Sequence, residues 1–125
     1  MKKIISTDKA PAAIGAYSQA TALQGLVFTS GQLPLDPATG TIVNGDIQAQ
    51  AKQALANVQA IIEGAGLTLD DVLKVSVFLT DIADFAKVNE VYQAVFSQNC
   101  PARSCFQVSA LPKGAAIEIE AIAGK

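Results

Sequence analysis

The sequence predicts an α+β fold in a single domain spanning residues 1–125, on three observations. Two stretches, after Asp46 and after Asp81, repeat apolar residues at three- and four-residue spacing, the period of an amphipathic helix. Between them Lys74 to Thr80 (KVSVFLT) is built of strand formers, and further strand-like runs precede the first helix and follow the second. A length of 125 residues suits one core, and no linker, repeat or low-complexity tract divides it.

Taken in order, Ile4-Ile5 reads as a short first strand and Tyr17 to Leu23 as a second, closed by a Gln24-Gly25 turn. Leu26-Val27-Phe28-Thr29-Ser30 is the third. Asp36-Pro37-Ala38-Thr39-Gly40 has turn chemistry, with Pro presetting φ and Gly free to take a positive one. Thr41-Ile42-Val43 is expected to return as a hairpin partner. Asp46 is an N-cap for a helix of about four to five turns carrying Ile47, Ala51, Ala54, Leu55, Val58, Ile61 and Ile62, ended by Gly64 or Gly66. Asp81 and Asp84 mark the second helix start, with Phe85, Val88, Tyr92, Val95 and Phe96 on its apolar side. Cys105 to Val108 and Ala116 to Ile122 close the chain as two strands, and the turn-like Leu111-Pro112-Lys113-Gly114 between them suggests that they pair. The order β-β-β-β-α-β-α-β-β gives a mixed sheet with two helices on one face. Its other face has no helix to cover it, so apolar residues there are expected to meet another subunit.

Composition narrows the function. Half the residues are apolar and 16% are charged, with a mean hydropathy of +0.34, which points to burial between subunits. No apolar run approaches the roughly 20 residues of a membrane span, and no signal-like stretch develops before Thr7-Asp8-Lys9. We expect a cytoplasmic protein without a membrane partner. A net charge of −2 and scattered lysines argue against a nucleic-acid partner, whose phosphates demand a basic patch. There is no histidine, which removes imidazole bases and metal ligands. Cys100 and Cys105 lack companions for a metal site and are read as free thiols.

Chemistry must then run on carboxylates, hydroxyls, backbone groups, a thiol and Arg103. That residue is the only arginine beside eight lysines, and a planar guanidinium fork matches a carboxylate two-on-two. In the last strand Glu118 and Glu120 share one face, about 7 Å apart. A solvated outer face is the commonest meaning of Glu-x-Glu. The sharper one makes a glutamate the base or water-positioning group near Arg103, and pairing of the final strands would set Arg103, Cys105 and Gln107 beside the glutamates. Asn89 is a polar residue on the apolar side of the second helix and needs a partner, in a loop or a ligand, because an unpaired buried amide costs about 1–3 kcal/mol. Tyr17-Ser18 and Ser30-Gly31-Gln32 are weak signals individually.

Together, Ala10-Pro11-Ala12-Ala13-Ile14-Gly15-Ala16-Tyr17-Ser18-Gln19-Ala20, Phe28-Thr29-Ser30-Gly31-Gln32-Leu33-Pro34, Asp36 to Gly40, Pro101-Ala102-Arg103-Ser104-Cys105 and Ile117-Glu118-Ile119-Glu120-Ala121-Ile122-Ala123 resemble, end to end, the Rid (YjgF-type) family and most closely its RidA branch of reactive-intermediate deaminases. The resemblance implies one Rid-type domain with a chorismate-mutase-like (bacillus type) α+β fold, a homotrimer whose sheets form a central barrel, and clefts between subunits. It implies hydrolysis of 2-aminoacrylate and related enamine and imine acids (2-iminopropanoate, 2-iminobutanoate) to 2-oxo acids and ammonia, without cofactor or metal. By motif position Arg103 would clamp the substrate carboxylate, Glu118 would hold or activate water, and Cys105 would line the site through its amide. Tyr17, Ser30, Gly31 and Asn89 would bind substrate in the same cleft. Ala16 stands where the family usually has proline, and residues 96–100 form a short segment with Cys100 where an aromatic is common; both bear on side-chain preference. Two other readings remain: a non-catalytic trimer that binds small carboxylates, and a translation inhibitor or ribonuclease, a label the family has carried.

Overall fold

The computed structural model describes residues 1–125. The strands are β1 (Lys3–Ile5), β2 (Ala20–Leu23), β3 (Leu26–Thr29), β4 (Val72–Leu79), β5 (Ala102–Gln107) and β6 (Ile117–Gly124). Two helices, α1 (Ile47–Gly64) and α2 (Phe85–Val95), flank β4 in sequence. One mixed sheet holds all six strands in the order β1-β2-β3-β6-β4-β5. Every neighbouring pair is antiparallel except β4 and β5. No helix is long and apolar enough to cross a membrane.

Helix α1 begins where expected. The Asp46 carboxylate accepts from the Ala49 amide at 3.0 Å, satisfying one of the free donors of the first turn. It ends at Gly64, and Gly66 takes a φ of +83° as the chain reverses. Ala51, Ala54, Leu55, Val58, Ile61 and Ile62 are buried against the sheet. The Asp81 carboxylate caps a single 3₁₀ turn through the Ala83 amide, and α2 proper follows from Phe85. Strands β4 and β6, the two longest at eight residues each, lie side by side in the sheet. Their alternate residues Val75, Val77 and Leu79, and Ile117, Ile119, Ala121 and Ala123, are buried under the helices. Each large one contributes about 1.5–3 kcal/mol of transfer free energy.

Three expectations are corrected. The last two strands do not pair: β6 lies between β3 and β4, and β5 is an edge strand parallel to β4. Residues 108–116, with their 3₁₀ turn at Pro112–Gly114, carry the chain across β4 instead of folding it straight back. Strand β6, with a buried residue at every second position, takes the centre, while the mostly exposed β5 suits an edge. Secondly, Tyr17 to Gln19 are not strand; β2 starts at Ala20, and Gln19 keeps a backbone bond from the Ser30 amide (2.8 Å) while its side chain holds a loop, as described below. Thirdly, Thr41-Ile42-Val43 makes only an isolated bridge, Ile42 to Leu35. The nearby backbone finds another partner, since Asn57 on α1 donates to the carbonyls of Leu33 (3.1 Å) and Leu35 (2.9 Å).

The helix-free face carries Ile4, Leu26, Phe28 and Phe106, all substantially exposed. Phe78 and Phe106 meet edge-to-face there, with centroids 5.2 Å apart.

Candidate functional site

The sheet register sorts the chemistry-bearing side chains onto two faces. Arg103 lies opposite Val75, which lies opposite Ala121, so all three share the helix-covered face. Cys105 and Gln107 continue that row beside Val77 and Leu79. Glu118 lies opposite Phe78 and Glu120 opposite Ser76, on the open face. Arg103 and Glu118 are therefore two strands and three rows apart, roughly 14 Å between Cα atoms from strand spacing and rise, and their side chains leave opposite sides of the sheet. The expectation that Arg103, Cys105 and Gln107 stand beside the glutamates is overturned for the single chain. Parallel pairing of β5 to the far side of β4 is the reason.

One cleft, of ≈ 690 Å³, brings together Tyr17, Ser30, Gly31 and Glu118. Its wall is built from one amide. Gln19, only 4% exposed, donates to the carbonyls of Thr7 (2.9 Å), Ala10 (3.3 Å) and Pro11 (2.8 Å), and accepts from the Thr7 amide at 2.7 Å. This satisfies a buried side chain completely and pins the loop leading to the cleft residues Ile14 and Tyr17. Both of those residues are exposed, Ile14 at 81% and Tyr17 at 53%. Ser30 is also committed: its hydroxyl donates to Ser18 O at 2.6 Å and its amide to Gln19 O at 2.8 Å. Gln19 carries no warning in the sequence beyond lying inside the first motif.

Glu118 lines this cleft. Burial pushes its carboxyl above the usual carboxylate range, and the Glu120 charge adds to the effect. A carboxyl whose folded pKa is raised binds its proton more tightly in the folded chain. Its contribution to stability is present below the unfolded value and is lost as pH rises through the folded one. Glu118→Gln, which cannot ionise, should therefore melt at or above the parent temperature near about pH 8, the difference closing as pH falls toward about 5. Paired thermal melts check this; a difference that widens on acidification refutes the sign.

Separate from it is a smaller recess of ≈ 330 Å³ beside α2, lined by Asn89, Tyr92, Phe96 and Arg103 among others. The guanidinium donates through Nη1 to Asn89 Oδ1 at 2.8 Å. Its Cζ lies 4.7 Å from the centroid of the Tyr92 ring and 5.2 Å from that of Phe85. Phe85, Asn89 and Tyr92 are spaced i, i+4, i+7 and so share one face of α2. That face is a cradle that sets the direction of the fork. The amide that stood out as polar on an apolar face is thus Arg103's partner. Phe85 and Tyr92 look in the sequence like ordinary core positions, and only the lone arginine hints at their second duty. The Tyr92 hydroxyl is buried without a hydrogen-bond partner, and burial raises its pKa against the opposing pull of Arg103.

Cys105 lines neither the cleft nor the recess. It packs against the helix-side core, and burial raises its pKa, with Arg103 opposing. A neutral thiol is a poor nucleophile. Cys100 is also free, its Sγ directed to Phe96 O at 3.2 Å.

A guanidinium held by Asn89, Tyr92 and Phe85 in one recess, and a carboxyl with raised proton affinity in a separate cleft, are the distinctive chemical features of this small α+β protein. The chain belongs to the endoribonuclease L-PSP family, whose model matches residues 7–125. It is 52% identical to the 2-iminobutanoate/2-iminopropanoate deaminase of Salmonella typhimurium, over 98% of each chain. It is also 52% identical to the rat protein of the same name, over 98% of this chain and 90% of the rat one. The crystal structure of E. coli TdcF with bound serine superposes with a TM-score of 0.94 at 51% identity, covering 98% of both chains. The resemblance to the YjgF-type proteins read from the motifs thus holds across the chain, as does the expected class of two helices on a mixed sheet.

Proposed function

We propose that this protein is a cytoplasmic 2-iminobutanoate/2-iminopropanoate deaminase, acting as a homotrimer whose sites form between subunits. The observation that carries the reading is the split between Arg103 and Glu118. Each stands in its family motif, but on opposite faces of one sheet, so a substrate a few ångströms long meets both only if a second copy brings its cleft to the Arg103 recess. The exposed Tyr17, Ile14, Phe28 and Phe106 are surface for such a contact. Relatives at 52% identity named for this activity support the chemistry.

The reaction is R–C(=NH)–COO⁻ + H₂O → R–CO–COO⁻ + NH₃. Arg103, its direction fixed by Asn89, Phe85 and Tyr92, clamps the carboxylate with its free donors. Tyr17, Ser30 and Gly31 shape the pocket from the neighbouring subunit, and the Cys105 amide lines it from the Arg103 side. Glu118 takes a proton from water as the oxygen attacks the imine carbon. It delivers that proton to nitrogen to give the carbinolamine. It then takes the proton of the new hydroxyl and delivers it to nitrogen as well, so the C–N bond breaks, ammonia leaves with the electron pair and the oxygen closes to the carbonyl. A carboxyl with raised proton affinity suits both roles. An imine conjugated to a carboxyl group is already electrophilic, so the reading needs no cofactor and no metal.

The test is direct. 2-Iminopropanoate and 2-iminobutanoate, generated in situ, should yield 2-oxo acid and ammonia in equal amounts, at a rate proportional to added protein. Release no faster than in buffer for either imine, or for bulkier ones, ends this reading. Binding of a 2-oxo acid without turnover would favour the non-catalytic carboxylate-binding alternative. An RNA control is expected to stay intact, given the net charge of −2 and the absence of histidine.

A further inference from the structure

We infer that Gly31 is a positioning residue for Glu118: its missing side chain is the space in which the glutamate's carboxyl rests, and the fixed backbone around it sets where that carboxyl points. The inference rests on the proposed role of Glu118 and goes beyond it. A Cβ on Gly31 would overlap Glu118 Oε1 and stand 2.7 Å from Cδ and 3.0 Å from Cγ. Gly31 has no positive φ, so its backbone alone does not call for glycine. The requirement comes from the glutamate.

The backbone has little room to withdraw. On one side the Gln32 amide donates to Ile119 O at 2.7 Å, and the Ile119 amide donates back to Gln32 O at 3.0 Å. On the other, the Ser30 amide and hydroxyl are both hydrogen-bonded, to Gln19 O and Ser18 O. Ile119 is fully buried in the sheet centre, so the clamp on Gln32 is tied to the core. An added methyl group would therefore displace the flexible end of Glu118, and the cleft that Glu118 lines is the open space available to receive it. There it loses both its aim and the burial that favours its protonated form.

The experiment compares Gly31→Ala, Glu118→Ala and the double variant. In Gly31→Ala, kcat for imine hydrolysis should fall about tenfold or more, while KM stays within about twofold because Arg103 still holds the substrate carboxylate. The limb of the pH–rate profile due to Glu118 should move to lower pH. The carboxyl ¹³C titration of Glu118, identified by its loss in Glu118→Ala, should fall in midpoint by about half a unit or more. The double variant should be no slower than Glu118→Ala alone, since no carboxyl remains to displace. If Gly31→Ala fails to fold, a cooperative melt regained in the double variant supports the same steric conflict, and continued failure overturns it. Parental kcat and titration midpoint in Gly31→Ala overturn the inference, as does a further tenfold loss on top of Glu118→Ala. Full activity of Glu118→Ala sinks the catalytic reading instead, while a shifted ¹³C midpoint in Gly31→Ala would still establish the contact.

Discussion

Arg103→Ala is expected to lose kcat/KM for 2-iminopropanoate by about 10²- to 10³-fold while remaining folded. The loss follows from removing a charge-assisted, two-pronged grip on a carboxylate, which costs several kcal/mol when the site is closed to water. The fold should tolerate the change because Arg103 is an exposed residue on the edge strand β5. Its stacking on Tyr92 and Phe85 contributes only about 0.5–1 kcal/mol at such a position. Arg103→Lys separates charge from geometry. Lysine keeps the cation but not the fork, and it cannot donate to Asn89 while presenting a flat pair of donors to substrate. We expect it to recover only a small part of the activity. Steady-state kinetics with circular dichroism on the same samples check both variants; undiminished turnover by Arg103→Ala would remove the clamp from the mechanism.

The second large effect is a restoration. Arg103→Ala and Glu118→Ala each form inactive homotrimers on this reading. Unfolded together and refolded at equal concentration, they should regain about one quarter of parental activity. The arithmetic is that of a cyclic trimer: a site is whole when the subunit supplying Arg103 carries the Glu118 change and its neighbour carries the other, which random mixing provides at about one interface in four. A site contained within one chain can never be restored this way. Mixtures that stay as inactive as their parents would therefore overturn the shared-site proposal, whatever the single variants do. The effect is large because Arg103 and Glu118 stand on opposite faces, with β4 between their strands.

Local pattern was enough to read the two helices, because their burial follows a 3.6-residue period and Asp46 and Asp81 cap through short-range hydrogen bonds. Strands β4 and β6 were readable for the same kind of reason, from alternation. Strand order was not. Whether β6 neighbours β5 or inserts between β3 and β4 depends on which strand gains more by central burial, a comparison between segments that no local window contains. That one error carried the site with it, since pairing β5 with β6 would have set Arg103 beside the glutamates. Asn89 was legible as an anomaly but not its partner, which sits fourteen residues away on another element. Gln19 was hidden because its bonds run to backbone carbonyls of a loop, and a loop's path leaves no periodic trace. The motif resemblance placed Tyr17, Ser30, Gly31 and Asn89 in one cleft with Arg103, Cys105 and Glu118; within the single chain Tyr17, Ser30, Gly31 and Glu118 line one cleft, Asn89 and Arg103 line another, and Cys105 lines neither.

The division of Arg103 from Glu118 has a consequence for the newly made chain. On the shared-site proposal, a polypeptide just released from the ribosome would hold half a catalyst and become a working one only on meeting its own kind. Specific activity should accordingly collapse on extreme dilution while each chain keeps its shape, so that output is governed by abundance as well as by substrate.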